Sequence, residues 1–222
     1  MTLDYAKARE LMVEQQVRPW DVLDARVLDV LATLPRDRFV PEAHRTLAYA
    51  DLALPIGHGE VMMKPVVEGR MLQALDLQPG DEVLEVGTGS GFIAACLGRL
   101  ARTVTTLERH ADLASAARAR LAGEGLAGNV EVVHADALGW DAGARRFDAV
   151  CVTGAVATLP PRFLSWLRPG GRVFAVHGVA PAMEAVLATA PADGDGEPRI
   201  ASLFETDLPY LAGAGPVPRF QL

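Results

Sequence analysis

Three acids and a run of glycines are the residues of this chain best suited to bind a ligand. In "LEVGTGSGF", Glu85 precedes Gly87, Gly89 and Gly91, and a helical stretch opens at Phe92. Glycines so spaced after a strand let backbone N–H groups come close to a ligand, where a Cβ would stand in the way. Glu108 lies twenty-one residues after Gly87 at the end of "TVTTLE", where a carboxylate can accept from two ribose hydroxyls. Asp136 ends "VEVVHAD" in the same manner. A dinucleotide fingerprint needs Gly or Ala at position 92, which is Phe92 here, so a ligand without a pyrophosphate suits the tighter pattern better and a nicotinamide-dependent dehydrogenase is disfavoured.

A second stretch, "LPIGHGEVMMKPVVEGRM" from Leu54 to Met71, places a Gly-x-Gly pair and two methionines before Pro65. Proline suits the first turn of a helix, whose free N–H groups favour an anion, so this loop reads first as an anion cradle. His58, between the two glycines, could steer a carboxylate, although a loop histidine is more often a hydrogen-bonding group at the surface.

Alternating elements must position these groups. From Asp81 onward, short runs rich in Val and Leu alternate with longer helical patterns: Glu82 to Gly87, Thr103 to Glu108, Val130 to Asp136, Phe147 to Thr153 and Arg172 to Gly178. The order is that of a doubly wound α/β fold with a parallel sheet, which binds ligands at the carboxyl ends of its strands. Two amphipathic helices precede it, followed by an apolar, irregular segment rich in proline and aromatic residues. "AMEAVLATA" and "RIASLFETDLPYL", split by the turn-forming "PADGDGEP", read as two antiparallel strands at the end.

Composition narrows the partners. The net charge is -7, and Lys and Arg are scattered, which argues against nucleic acid or an anionic membrane surface. Cys96 and Cys151 sit in apolar runs as expected of buried thiols, no His or Cys spacing suggests a metal, and no apolar span is long enough for a membrane. A cytoplasmic protein is expected, with its oligomeric state left open.

Taken together, the acid and "GTGSG" at the first strand, the acids after the second and third, and "LRPGGRV" before the fifth resemble the class I S-adenosylmethionine-dependent methyltransferases. That resemblance implies a Rossmann-like seven-stranded sheet whose last strand is antiparallel. "MVEQQ", "VLDVLATLPRDRFVP", "AYAD" and "PIGHG" lie outside the generic fold and resemble the protein-L-isoaspartate O-methyltransferase family. Membership implies a single methyltransferase domain over 1–222: N-terminal helices and a substrate-side cap at 1–64, the cofactor-binding core at 65–180, and antiparallel strands with a tail at 181–222. It implies S-adenosyl-L-methionine as cofactor and, as substrate, a protein or peptide carrying isoaspartate, methylated on its free carboxylate.

Carried over by position, Glu85, Val86, Gly87, Thr88, Gly89, Ser90 and Gly91 would wrap the methionine part of the cofactor. Glu108 with Arg109 would hold the ribose, Asp136 with Ala137 would face the adenine, and Thr153 would lie near the methyl group. His58, Gly59 and Met63 would face the substrate. The family pattern I-G-x-G-Q-T-I-S-x-P becomes "IGHGEVMMKP" here, so Glu60, Val61 and Met63 replace Gln, Thr and the active-site Ser. These departures leave two further readings open, a paralogue with another acceptor and a non-catalytic cofactor-binding protein.

Overall fold

The computed structural model describes residues 3–217. The chain starts with helix α1 (Tyr5–Met12), which Asp4 caps by accepting from the Lys7 N–H, and continues through a π turn at Val13–Val17. Helix α2 (Ala25–Thr33) follows, capped by Asp24 in the same way. A two-stranded hairpin, β1 (Leu54–Gly57) and β2 (Glu60–Met62), then leads into helix α3 (Pro65–Leu75). The α/β core comprises β3 (Glu82–Val86), α4 (Phe92–Leu100), β4 (Thr103–Glu108), α5 (Ala111–Gly123), β5 (Val130–His134), β6 (Phe147–Val156), α6 (Pro161–Ser165), β7 (Leu167–Val179), β8 (Ala182–Thr189) and β9 (Arg199–Glu205).

The seven sheet strands run in the order β5-β4-β3-β6-β7-β8-β9. All neighbours from β5 to β7 are parallel, while β7 with β8 and β8 with β9 pair antiparallel. Consequently β8, the sixth strand of the sheet in chain order, runs against the others, and the last strand, β9, runs with them. The expected antiparallel last strand is thus displaced by one place. Two successive hairpins reverse the chain twice and leave β9 at the edge.

Successive residues of the strands point to opposite faces, and both faces are buried. Val83, Ala149, Cys151, Phe174 and Val176 pack on the side of α2, α3 and α4, whereas Leu84, Val150, Val152, Val173 and Ala175 pack on the side of α6 with Phe163 and Trp166. Two-sided burial explains why Val, Leu, Ala and Phe occupy both faces of the central strands β3, β6 and β7. No helix among the described residues is long and apolar enough to cross a membrane.

The segment between α2 and β1 has short 3-10 turns at Arg36–Arg38 and Glu42–Leu47. Its Phe39, Val40, Ala48 and Tyr49 are buried in the first of these cores. Gln16 donates to the Tyr49 carbonyl at 3.1 Å, and the Tyr49 hydroxyl donates to Asp37 at 2.7 Å. At its centre Arg36, fully buried, donates to both carboxylate oxygens of Glu68 at 3.0 Å, to the Ala48 carbonyl at 2.8 Å and to the Met63 carbonyl at 2.6 Å. Desolvation pushes the Glu68 carboxyl up from its ordinary value, and the Arg36 charge pulls it back.

Removing one partner of such a pair strands the other without water. Arg36→Ala is therefore expected to cost about 3–5 kcal/mol of unfolding free energy, and a joint change of Arg36 and Glu68 to methionine to cost much less. Urea midpoints of the two variants check this, and a shift below about 1 kcal/mol for Arg36→Ala would show that the pair does not hold the segment.

Candidate active site

The glycine loop leaves β3 at Val86, and Gly87, Gly89 and Gly91 all have positive φ, at 98°, 50° and 88°. The N–H groups of Gly87 and Thr88 both donate to the Leu107 carbonyl, at 3.0 and 3.1 Å, folding the loop over the end of β4. A Cβ on Gly87 would overlap the Thr153 hydroxyl, so the backbone here can pass only as glycine. Phe92, where a dinucleotide site would have a small residue, is buried edge-on against Phe39 at 5.5 Å and under the Arg36 guanidinium. It bolts the start of α4 to the N-terminal segment.

Two adjoining clefts open at this edge of the sheet. The outer one, open to solvent, is lined by Glu108, Arg109, Asp136 and Ala137, together with Val86 and Leu107. The inner one is lined by Glu85, Thr88, Ser90, Met62 and Met63. Val61, Gly87, Gly89 and Thr153 line both. Of the residues singled out in the sequence, Gly91 caps α4 rather than lining either cleft.

Most polar groups of the site are already committed to the backbone around them. Glu108 accepts from the Gly89 N–H at 2.8 Å and the His110 N–H at 2.9 Å, one on each oxygen, which fixes the carboxylate yet leaves each oxygen able to accept again. Thr153 donates toward the Gly87 and Val86 carbonyls, at 2.6 and 2.9 Å. The Asp136 carboxylate accepts from the Leu138 N–H at 3.0 Å and remains exposed. Ser90 Oγ accepts from the Phe92 N–H at 3.3 Å, and the Arg109 side chain is exposed at the outer rim.

Glu85 differs from these. It is fully buried, and one oxygen accepts from the Thr106 hydroxyl, which is itself bonded to the Thr88 hydroxyl. Its Oε1 has no hydrogen-bond partner among the described residues. Burial pushes this carboxyl up to about 8, against the Thr106 hydrogen bond and with a smaller push from Glu108. An orphaned buried acceptor beside a cleft, next to a cradle that a Cβ would fill, fits a ligand carrying a cationic or donor group there.

The hairpin supplies the remaining walls in a way the sequence did not reveal. Gly57 pairs with Glu60, and both central residues, His58 and Gly59, have positive φ, the requirement of a two-residue hairpin. Its glycines therefore serve the turn. Ile56, Glu60 and Val61 line the outer cleft, whereas His58 and Gly59 line neither cleft. Met63 is buried and walls the inner one. The start of α3 is not a free anion cradle, because Asp51 accepts from the Val66 N–H at 3.2 Å. The negative partner that the helix end favours comes from within the chain.

Leu211 and Ala212 were also missed, and they line the outer cleft from the tail. The Leu211 N–H donates to the Ala155 carbonyl, and the Ala155 N–H donates to the Pro209 carbonyl, both at 2.8 Å. This stretch after β9 lies across the end of β6. Only the apolar "LPYL" hinted at it, with no periodicity to place it.

A Rossmann-like sheet with a glycine loop after its first strand, a buried acid ending the second and a cleft at the carboxyl edge is the arrangement of the S-adenosylmethionine-dependent methyltransferase class. The family described as protein-L-isoaspartate(D-aspartate) O-methyltransferase matches residues 7–205. A protein-L-isoaspartate O-methyltransferase of Methylorubrum extorquens (strain PA1) is 45% identical over 170 residues, covering 77% of this chain and 74% of the relative. One of Koribacter versatilis (strain Ellin345) is 42% identical over 169 residues, covering 76% of each. The chain belongs to the protein-L-isoaspartate O-methyltransferase family. In fold it is similar to a Plasmodium falciparum crystal structure bearing the same family name, in complex with S-adenosyl-L-homocysteine, at a TM-score of 0.79 and 18% identity, with 95% of this chain and 99% of that one covered.

The Glu85 carboxyl has a direct consequence for stability. Between the ordinary carboxylate range and about pH 8, the ligand-free folded form holds a proton that the unfolded chain gives up, so stability falls as pH rises, by up to about 1.4 kcal/mol per pH unit from this group. Glu85→Gln is expected to lose that slope, which urea unfolding at a series of pH values checks. An equal slope in both proteins would place the titration elsewhere.

Proposed function

We propose that this protein is an S-adenosylmethionine-dependent protein-L-isoaspartate O-methyltransferase, which methylates the free carboxylate of isoaspartyl residues in damaged polypeptides. The single observation that carries the reading is the family match across 7–205 together with a cleft built from the glycine loop, Glu85 and Glu108. In this reading Glu108 accepts from the ribose, Asp136 and Ala137 border the adenine, and Glu85 with the loop from Gly87 to Gly91 encloses the methionine part. Thr153 sits where both clefts meet, beside the methyl group. Met63, with Val61 and Met62, forms the apolar wall toward the acceptor, and His58 and Gly59 belong to the hairpin that carries that wall. The segments 1–64, 65–180 and 181–222 work as cap, core and closing strands of one methyltransferase domain. A cytoplasmic setting suits the buried free thiols Cys96 and Cys151.

S-adenosylmethionine, when bound, supplies an electrophilic methyl group on a sulfonium. An acceptor carboxylate with a pKa near 4 is ionised at neutral pH, so no side chain has to remove a proton. The chain's work is alignment and exclusion of water. Its residues fit that work: Glu108 and Thr153 hold the loop, and Val61, Met62 and Met63 present apolar surface. This chemistry does not call for a catalytic histidine or cysteine.

Labelled methyl transfer to an isoaspartyl peptide and to its aspartyl twin tests the reading. Incorporation is expected into the first alone. Binding of S-adenosylmethionine with no transfer to the isoaspartyl peptide would overturn the acceptor. At the departed position, a hydroxyl could donate to the substrate carboxylate where the Met63 thioether cannot, so Met63→Ser is expected to raise kcat/KM about tenfold. The same change opens space in a buried wall, and a lower unfolding midpoint should accompany it.

A further inference from the structure

The tip of the hairpin makes contacts that neither the family reading nor the cleft lining explains. β1 and β2 form a sheet of their own, separate from the seven-stranded one, and carry Ile56, Glu60 and Val61 over the outer cleft. His58, at φ 55°, is the one non-glycine in three successive residues of positive φ. A side chain in that conformation is uncommon and is kept where its surroundings hold it.

What holds it lies across the cleft. The His58 ring stacks on the His110 ring with centroids 4.0 Å apart and planes 11° from parallel. Its Nε2 lies 2.9 and 3.0 Å from the two oxygens of Asp112. His110 Nε2 in turn is 3.8 Å from Glu60 Oε1 on the returning strand. His110 immediately precedes α5 and Asp112 is in its first turn, and the His110 N–H fixes Glu108 Oε1. One short segment thus grips both the hairpin tip and the carboxylate assigned to the ribose.

We propose that His58 and Asp112, with the His58 ring seated on His110, clasp the hairpin closed over bound S-adenosylmethionine, acting as positioning residues that set how fast the cofactor and its demethylated product leave. The proposal rests on the reading of the cleft as the cofactor site. Because the hairpin pairs with no strand of the main sheet, releasing the clasp frees Ile56, Glu60 and Val61 to move without breaking that sheet. His58 therefore acts at the lid of the cofactor site, outside the lining of either cleft.

The test is the dissociation rate of S-adenosylhomocysteine, chased with excess S-adenosylmethionine, in wild type, Asp112→Ala, His58→Gly and the double variant. Glycine keeps the positive φ, so His58→Gly removes the ring without straining the turn. Each single variant is expected to release the ligand about two- to fivefold faster, the range for one solvent-exposed side-chain contact, and the double variant no faster than His58→Gly alone. Asp112→Glu should restore the slow rate, and thermal midpoints should change little, since both groups are partly or largely exposed. Wild-type rates in Asp112→Ala, or additive effects in the double variant, would overturn the clasp. Failure of wild type to bind S-adenosylhomocysteine in calorimetry would instead remove the cofactor reading, and the clasp with it.

Discussion

The buried pair of Arg36 and Glu68 is the constraint from which the placement of the inner cleft's wall follows. Two charges taken out of water each cost several kcal/mol, and their attraction offsets that only when every donor and acceptor is satisfied. Arg36 meets the condition by donating to two main-chain carbonyls as well as to both oxygens of Glu68. A single side chain therefore ties together the segment after α2, the end of the irregular stretch at Ala48, the residue that follows β2, and helix α3. An apolar replacement could fill the volume, but it could not specify where the Met63 carbonyl sits.

The same division of labour runs through the cofactor side. Thr153 donates to the glycine loop, Glu108 receives the loop and the start of α5, and Thr88 and Thr106 form a hydroxyl chain ending on Glu85. These side chains hold backbone in shape before any ligand arrives, which is how alignment can be achieved with little further ordering on binding. Glu85 Oε1 stands apart as buried and, among the described residues, unpartnered, a cost in the free protein that a donor on a ligand would relieve.

The sequence revealed what depends on local chemistry. Period-2 alternation hidden within apolar runs, glycines after the first strand and acids at strand ends come from backbone sterics and hydrogen bonding within a few residues, so Glu82–Val86 and Thr103–Glu108 could be read almost to the residue. Contacts between distant segments left no such trace. Arg36 looked like one charge in "PRDR", yet it is fully buried because residues 32 positions away face it. Leu211 reaches the cleft because the tail bridges β6 in parallel at Ala155, which no periodicity encodes, and although the two final strands were legible as antiparallel to each other, their order in the sheet was not. His58 was legible as a histidine between glycines, but its direction was set by Asp112, 54 residues on.

Met63 joins these two levels. Its side chain stands where the sequence resemblance places a serine, and its carbonyl is the atom that Arg36 grips. Main-chain placement is indifferent to side-chain identity, so the wall of the inner cleft keeps its position whatever residue stands there. What a serine hydroxyl would add is one hydrogen bond to a charged acceptor, worth about 1.5–3 kcal/mol. That increment is small beside the several kcal/mol that alignment and exclusion of water supply when the nucleophile is already ionised. A reaction without a general base can lose a donor and keep its mechanism. Arg36 and Asp51 hold the main chain at Met63 and Val66, so the side chain at position 63 can vary while the link from β2 to α3 keeps its place.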